Sequence, residues 1–196
     1  MIIIGLTGSI GMGKSTTAEM FRAEGCPVFD ADAAVHELYA KGGKAVPIIR
    51  AVFPDAIKDG AVDRVVLGKH MRADPLQLNV LESFIHPLVS ESRTAFFEQN
   101  TDADIVVMDV PLLFETGLDK AVHHIVVVTA PAEVQRKRVL ARPGMTPELF
   151  DSLLSRQTAD AEKRRQAHTL IFTDRGLENA REQVQDLLIL IQELVV

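Results

Sequence analysis

Short apolar runs rich in branched side chains recur along the chain, and most are separated by longer stretches with helical spacing. The runs occupy residues 2–6, 28–29, 105–108, 125–128 and 170–172. Bounded by polar and turn residues, they suit strands buried on both faces. Strands alternating with helices predict right-handed crossovers in a parallel sheet. Helix edges are marked as well. Pro131 takes a first-turn position before a helix over 132–140, Thr146-Pro147-Glu148 reads as a cap with Pro at the first helical position, and Gly176 precedes a last helix over 177–194. On that last helix Val184, Leu187, Leu188, Ile191, Leu194 and Val195 share one face, which suits packing on the sheet.

One interval departs from this alternation. Between Ala33 and Asn100 no strong strand signal occurs, whereas 63–71, 75–85 and 88–99 each have helical spacing. The expected organisation is one domain over 1–196, with a core from 1–32, 101–132 and 166–196, a helical insertion over about 33–100 and a lid over about 133–165.

The turn after the first run carries most of the chemistry. Gly8-Ser9-Ile10-Gly11-Met12-Gly13-Lys14-Ser15 matches G-x-x-x-x-G-K-[ST], the phosphate-cradling loop that joins a strand to a helix, here one over 16–24. The pattern predicts a nucleoside triphosphate held by Gly8, Gly11, Met12, Gly13, Lys14, Ser15 and Thr16. Backbone N–H groups wrap the phosphates, Lys14 reaches the β- and γ-phosphates, and Ser15 ligates Mg²⁺. Glycines serve because a Cβ would block that approach or forbid a positive φ. The expected fold class is therefore α/β, a P-loop NTPase with a five-stranded parallel sheet flanked by helices, a helical substrate-binding insertion and an Arg-rich helical lid.

Ligands of open parallel sheets bind beyond the carboxyl ends of the strands, so acids placed there are candidates. The second run leads into Asp30-Ala31-Asp32. One of these carboxylates would take a proton from a substrate hydroxyl and the other would cap a helix over 33–39. The third run ends in Asp109, a Walker-B-type carboxylate that would support the metal. Between Glu133 and Arg165 lie Arg136, Lys137, Arg138, Arg142, Arg156, Lys163, Arg164 and Arg165, eight of the chain's 21 Lys and Arg residues in an acidic protein. Arginine suits bidentate phosphate recognition. Arg142, just before Pro143-Gly144, is the first candidate to neutralise charge on a transferring phosphoryl group.

Composition narrows the classes. With 47% hydrophobic and 24% charged residues over 196 positions the chain reads as a soluble globule. A net charge of −6 argues against general nucleic-acid binding, which rests on Lys and Arg. The lone Cys26 excludes an intrachain disulfide, fits a reducing compartment and reads as a small buried residue. No run approaches the 18 apolar residues of a membrane span and the opening lacks a basic leader region, so a cytoplasmic protein is expected. A monomer or weak homo-oligomer is the expected assembly. His123-His124 has no third ligand at metal-site spacing and reads as a surface pair. His86 before Pro87, taken alone, reads as a helix cap.

Taken together, GLTGSIGMGKS at the start, VFDADAAVHEL, AVDRVVL, His86-Pro87, DVPLLFETG over 109–117 and the arginine-bearing lid resemble the dephospho-CoA kinase family over nearly the whole chain. DVPLLFE and the acids after the second strand are more specific than the phosphate loop. The resemblance implies transfer of the ATP γ-phosphate to the ribose 3′-hydroxyl of dephospho-CoA, giving ADP and CoA in the last step of coenzyme A synthesis, with Mg²⁺ as cofactor. It implies Asp32 as catalytic base, Lys14 as phosphate clamp and Arg142 as lid arginine, with Ser15 and Asp109 toward the metal. Substrate contacts are implied for Asp32, Asp63, Arg64, His86, Pro111, Leu112, Leu113 and Glu115. The chain departs from the family at Ser9, where Gly is frequent. It departs again near the last strand, where Ala167-His168 and Thr173-Asp174 stand in a region that the resemblance places beside the adenine.

Two other readings stay open at this point. A small-molecule kinase of shikimate or gluconate type shares the loop and the paired acids, but a shikimate enzyme would carry a triple-glycine loop where this chain has only Gly42-Gly43. A nucleotide switch would show N-K-x-D and D-x-x-G, and neither is present.

Overall fold

All five apolar runs form strands. The computed structural model describes residues 1–193, so Leu194 and Val195 of the expected last helix lie outside the described residues. In chain order the elements are β1 (Ile2–Thr7), α1 (Lys14–Ala23), β2 (Val28–Asp30), α2 (Ala31–Tyr39), α3 (Ala45–Val52), β3 (Ile57–Lys58), β4 (Ala61–Val62), α4 (Arg64–Ala73), α5 (Pro75–Gln99), β5 (Ile105–Asp109), β6 (His124–Thr129), α6 (Ala132–Leu140), α7 (Pro147–Leu154), α8 (Asp160–Gln166), β7 (Thr169–Phe172) and α9 (Leu177–Glu193).

The larger sheet has the order β2-β5-β1-β6-β7, with β1 pairing in parallel with both β5 and β6. Ile4 stands opposite Val107 on one side and His124 on the other. Chain order reverses at β1, which makes the end of that strand the crevice where ligands of open α/β sheets bind. One face of the sheet buries Ile4, Leu6, Val107, Val126 and Ile171 against Phe21 of α1 and Val184, Leu187 and Ile191 of α9. The helical stripe expected on α9 therefore packs on the sheet as far as the described residues reach. Truncating the fully buried Phe21 to Ala would remove about 3–5 kcal/mol.

The chain divides into two compact units, residues 1–29 with 102 onward, and residues 30–101. The second unit has its own core, in which Leu38, Val46, Ile49, Phe53, Leu67, Leu81 and Ile85 gather from α2 to α5. It differs from expectation in three ways. The two helices expected over 75–85 and 88–99 are one helix, α5, running through Pro87. An interior proline costs about 3 kcal/mol. Here Leu81 and Ile85 before it and Leu88 and Val89 after it join the same core, and that burial outweighs the lost backbone hydrogen bond. Helix α3 was not anticipated, and neither was the antiparallel pair β3–β4. The pair turns at Asp59-Gly60, φ 52° and 83°, an Asp-Gly signal of the kind that favours two-residue hairpins. Strands of two residues are too short to alternate visibly. Among the described residues no helix is long and apolar enough to cross a membrane.

Candidate active site

The phosphate-loop motif occupies the turn from β1 into α1, where the pattern places it. Lys14 opens α1, and no acidic residue stands in that helix's first turn, so its positive end is open to an anion. Two of the loop glycines answer to packing as much as to phosphate approach. A Cβ on Gly8 would lie 2.7 Å from the Val128 carbonyl oxygen, and one on Gly11, at φ 80°, would collide with Val139 of α6. Lys14 Nζ stands 2.5 Å from Oδ1 of Asp109, the last residue of β5, which is 2% exposed. The sheet thus brings together the expected phosphate clamp and the expected metal-supporting acid, pairing them as an ion pair.

Several side chains outside the loop hold it, and of these sequence reasoning missed Gln135 and Gln157. Gln135 of α6, 5% exposed, donates to the Ile10 carbonyl at 2.8 Å, and the Ile10 N–H donates to Gln157 Oε1 at 3.0 Å. Thr173, just past β7, donates to the Met12 carbonyl at 2.7 Å and accepts from Arg138 at 2.8 Å. Neither glutamine belongs to a motif, and only the tertiary contact marks them.

The eight basic residues of the expected lid separate by partner. Arg136 pairs with Asp151 and lies over the Phe150 ring, Arg138 binds Thr173, and Arg165 pairs with Glu162. Lys163 is fully buried, its Nζ 3.1 Å from Glu115 and 3.4 Å from the Pro111 carbonyl. Arg142, Lys137, Arg156 and Arg164 are exposed and have no side-chain hydrogen bond or ion pair among the described residues. Arg142 follows α6, its N–H bonded to the Val139 carbonyl. Glu115 also accepts from the Thr158 N–H at 2.6 Å. Burial by itself would raise that carboxyl, but the backbone N–H bonds and the Lys163 charge hold it below the usual carboxylate value. In the same segment Pro111 is half-buried, Leu112 exposed and Leu113 fully buried.

The remaining candidates lie in the second unit. Asp30 caps α2, its carboxylate accepting from the Ala33 N–H at 2.9 Å, which leaves Asp32 exposed in the first turn of that helix. Asp63 caps α4 through the N–H groups of Val65 and Val66. Arg64 lies 3.3 Å from His36 Nδ1. His86 sits in the middle of α5, so it caps nothing and the capping alternative falls.

Comparison with known proteins completes the picture. The family model for dephospho-CoA kinase matches residues 2–179. The chain belongs to the dephospho-CoA kinase family. It is 54% identical to a dephospho-CoA kinase of Mesorhizobium japonicum, covering 94% of this chain and 93% of that one. A solved protein of Thermus thermophilus has a TM-score of 0.81 at 34% identity over 96% of each chain. The dephospho-CoA kinase of Campylobacter jejuni has a TM-score of 0.68 at 20% identity, again over 96% of each, and shares the fold.

The two departures from the family pattern fall in different surroundings. Ser9 is 2% exposed and its hydroxyl has no hydrogen-bond partner among the described residues. His168 precedes β7 and so lies at the amino edge of the parallel sheet, where its Nδ1 accepts the Ile125 N–H at 2.8 Å. That corrects the expectation of an adenine-bordering role for Ala167-His168, because the phosphate loop follows the carboxyl edge. Of that region, Thr173 hydrogen-bonds the loop at the Met12 carbonyl. His123 Nδ1 accepts the Ile3 N–H at 2.9 Å on the same amino edge, and His124 is half-buried against His168, ring centroids 5.2 Å apart. His123 is exposed, as expected of a surface residue, and His124 departs from that expectation. Cys26 is half-buried rather than buried, and burial followed by the nearby Glu24 pushes its thiol up.

A divalent cation would find two oxygen donors here, the exposed Ser15 hydroxyl and the Asp109 carboxylate. Both are of the hard type that Mg²⁺ takes, and its usual habit is one or two protein ligands with phosphates and water supplying the rest. The donor set fits the ion.

Proposed function

We propose that this chain catalyses ATP-dependent phosphorylation of the ribose 3′-hydroxyl of dephospho-CoA, giving CoA and ADP, the last step of coenzyme A synthesis. The observation that carries the reading is the phosphate loop at the β1–α1 turn, with Lys14 beside Asp109, in a chain of this kinase family. When ATP enters the loop, Lys14 turns from Asp109 to the β- and γ-phosphate oxygens, while the N–H groups of residues 11–16 wrap the phosphates. Asp32 orients the 3′-hydroxyl and accepts its proton at a carboxylate oxygen. Arg142, exposed and without a side-chain hydrogen bond or ion pair among the described residues, neutralises charge on the transferring phosphoryl group. Ser15 and Asp109 would hold Mg²⁺, which when bound offsets phosphate charge. The rest of the chemistry is positioning.

In this reading residues 33–100 carry the acceptor, Asp63, Arg64, His86, Pro111, Leu112, Leu113 and Glu115 are its contacts, and 133–165 serve as a lid that excludes water. The protein works in the cytoplasm as a monomer or weak homo-oligomer, on ATP and dephospho-CoA, without nucleic acid or membrane. The test is ADP production and product mass with Mg²⁺-ATP and dephospho-CoA, with shikimate, gluconate and no acceptor beside it. Phosphate gain on dephospho-CoA alone is expected; gain on another acceptor, or acceptor-free hydrolysis only, overturns the reading. Asp32→Asn should still bind ATP while turnover falls about 10²–10⁴-fold.

A further inference from the structure

Lys163 is a lysine with no solvent exposure in a segment otherwise rich in exposed cations. Taking an ammonium group out of water is expensive, and an apolar side chain of similar volume commonly serves a core at least as well. The two oxygens that Lys163 holds both belong to the stretch behind Asp109. They are the Glu115 carboxylate at 3.1 Å and the Pro111 carbonyl at 3.4 Å. Pro111 is also fastened to β1, its carbonyl accepting from Thr7 Oγ1 at 3.1 Å.

The same Glu115 oxygen that faces Lys163 takes the Thr158 N–H at 2.6 Å. Thr158 lies in the turn that enters α8, and α8 is itself tied to β6 by Thr129 Oγ1, which donates to Asp160 at 2.9 Å. The neighbouring residue in that turn is Gln157, whose Oε1 accepts the Ile10 N–H of the phosphate loop at 3.0 Å. A continuous set of contacts therefore runs from one buried cation through a carboxylate and one turn to a backbone amide of the loop. The Ile10 carbonyl is meanwhile held from the other side by Gln135.

We infer that Lys163 is a positioning residue for nucleotide binding: through Glu115 it fixes the 157–158 turn, and that turn presents Gln157 to the Ile10 N–H and so sets the phosphate loop. A loop preset in this way holds its donors ready for the phosphates before ATP arrives, which lowers the ordering cost of binding. The inference rests on ATP as the ligand of the loop and not on the identity of the acceptor.

The test is a double-mutant cycle read by fluorescent-ATP-analogue affinity, with thermal unfolding recorded beside it. Gln157→Met removes the acceptor of the Ile10 N–H, and Lys163→Met removes the buried cation. Each is expected to weaken nucleotide binding about 5- to 10-fold, and the double variant is expected to bind no more weakly than the worse single variant, because both act on one contact. A purely structural lysine would lower the unfolding temperature yet leave affinity within twofold of the parent, and the Gln157→Met loss would then multiply in full on the Lys163→Met background. Either of those results overturns the inference. If Lys163→Met does not fold, Glu115→Gln replaces it in the cycle with the same two outcomes. CoA formation by the parent protein is measured separately, so a wrong acceptor and a wrong role for Lys163 are told apart.

Discussion

The two edges of the parallel sheet use polar side chains in opposite ways. At the carboxyl edge Lys14 meets Asp109, Thr173 holds the Met12 carbonyl, and the open end of α1 faces outward from the turn. At the amino edge His123 and His168 each turn a ring nitrogen to a strand N–H, those of Ile3 and Ile125, and His124 joins Thr169 at 2.8 Å. The difference follows from strand direction. First residues of parallel strands project N–H groups that need acceptors, whereas the carboxyl ends run into turns and helix starts that supply donors and attract anions. Anion-binding groups gather at one edge, and the other is closed by ring-nitrogen acceptors.

The strongest way to break this comparison is to remove the charge at the carboxyl edge. Lys14→Met should lower turnover about 10²–10³-fold at saturating ATP, the scale of losing one preorganised donor. Steady-state kinetics decides it, and a loss below tenfold would mean that the ion pair serves the fold alone. Gly11→Ala should destabilise the protein by about 1–3 kcal/mol in thermal or denaturant unfolding, because the new methyl meets Val139 at a positive φ. At the amino edge His168→Leu should cost on the order of 1 kcal/mol by leaving the Ile125 N–H without its acceptor, with KM for ATP unchanged within twofold. A large rise in KM would return this residue to the nucleotide.

The smallest effect concerns pH. Burial, and then the charge of His168, hold the His124 imidazole below its ordinary value, so folding favours its neutral form. The unfolded chain then binds more protons than the folded one, and stability rises with pH. That contribution is complete above about pH 6.5, the ordinary histidine value, and is lost as pH falls through the lowered folded value. Unfolding midpoints recorded from pH 7.5 down to 5 should fall more steeply for the parent than for His124→Gln.

Much of this was legible in the chain. Branched apolar runs are a strong signal where a strand is buried on both faces, and the glycine pattern of the loop is local, so β1, β5, β6, β7 and the phosphate loop stand where expected. Asp30 likewise caps α2, leaving Asp32 as the other acid of the pair. What stayed hidden depends on distant partners. Pro87 looked like a break until Leu81, Ile85, Leu88 and Val89 shared one core, and Lys163 looked like one cation among many until α8 buried it against Glu115.

The sequence by itself determined the five strands of the parallel sheet, the anion-binding turn and the family, because those signals are carried by short local runs of residues. The tertiary structure alone decided which cations are already paired, which glycines answer to packing, and which edge of the sheet each histidine serves. Burial and pairing join residues some 40 to 160 positions apart, as from Glu115 to Lys163 or from Met12 to Thr173, and no local pattern of residues encodes a partner at that distance.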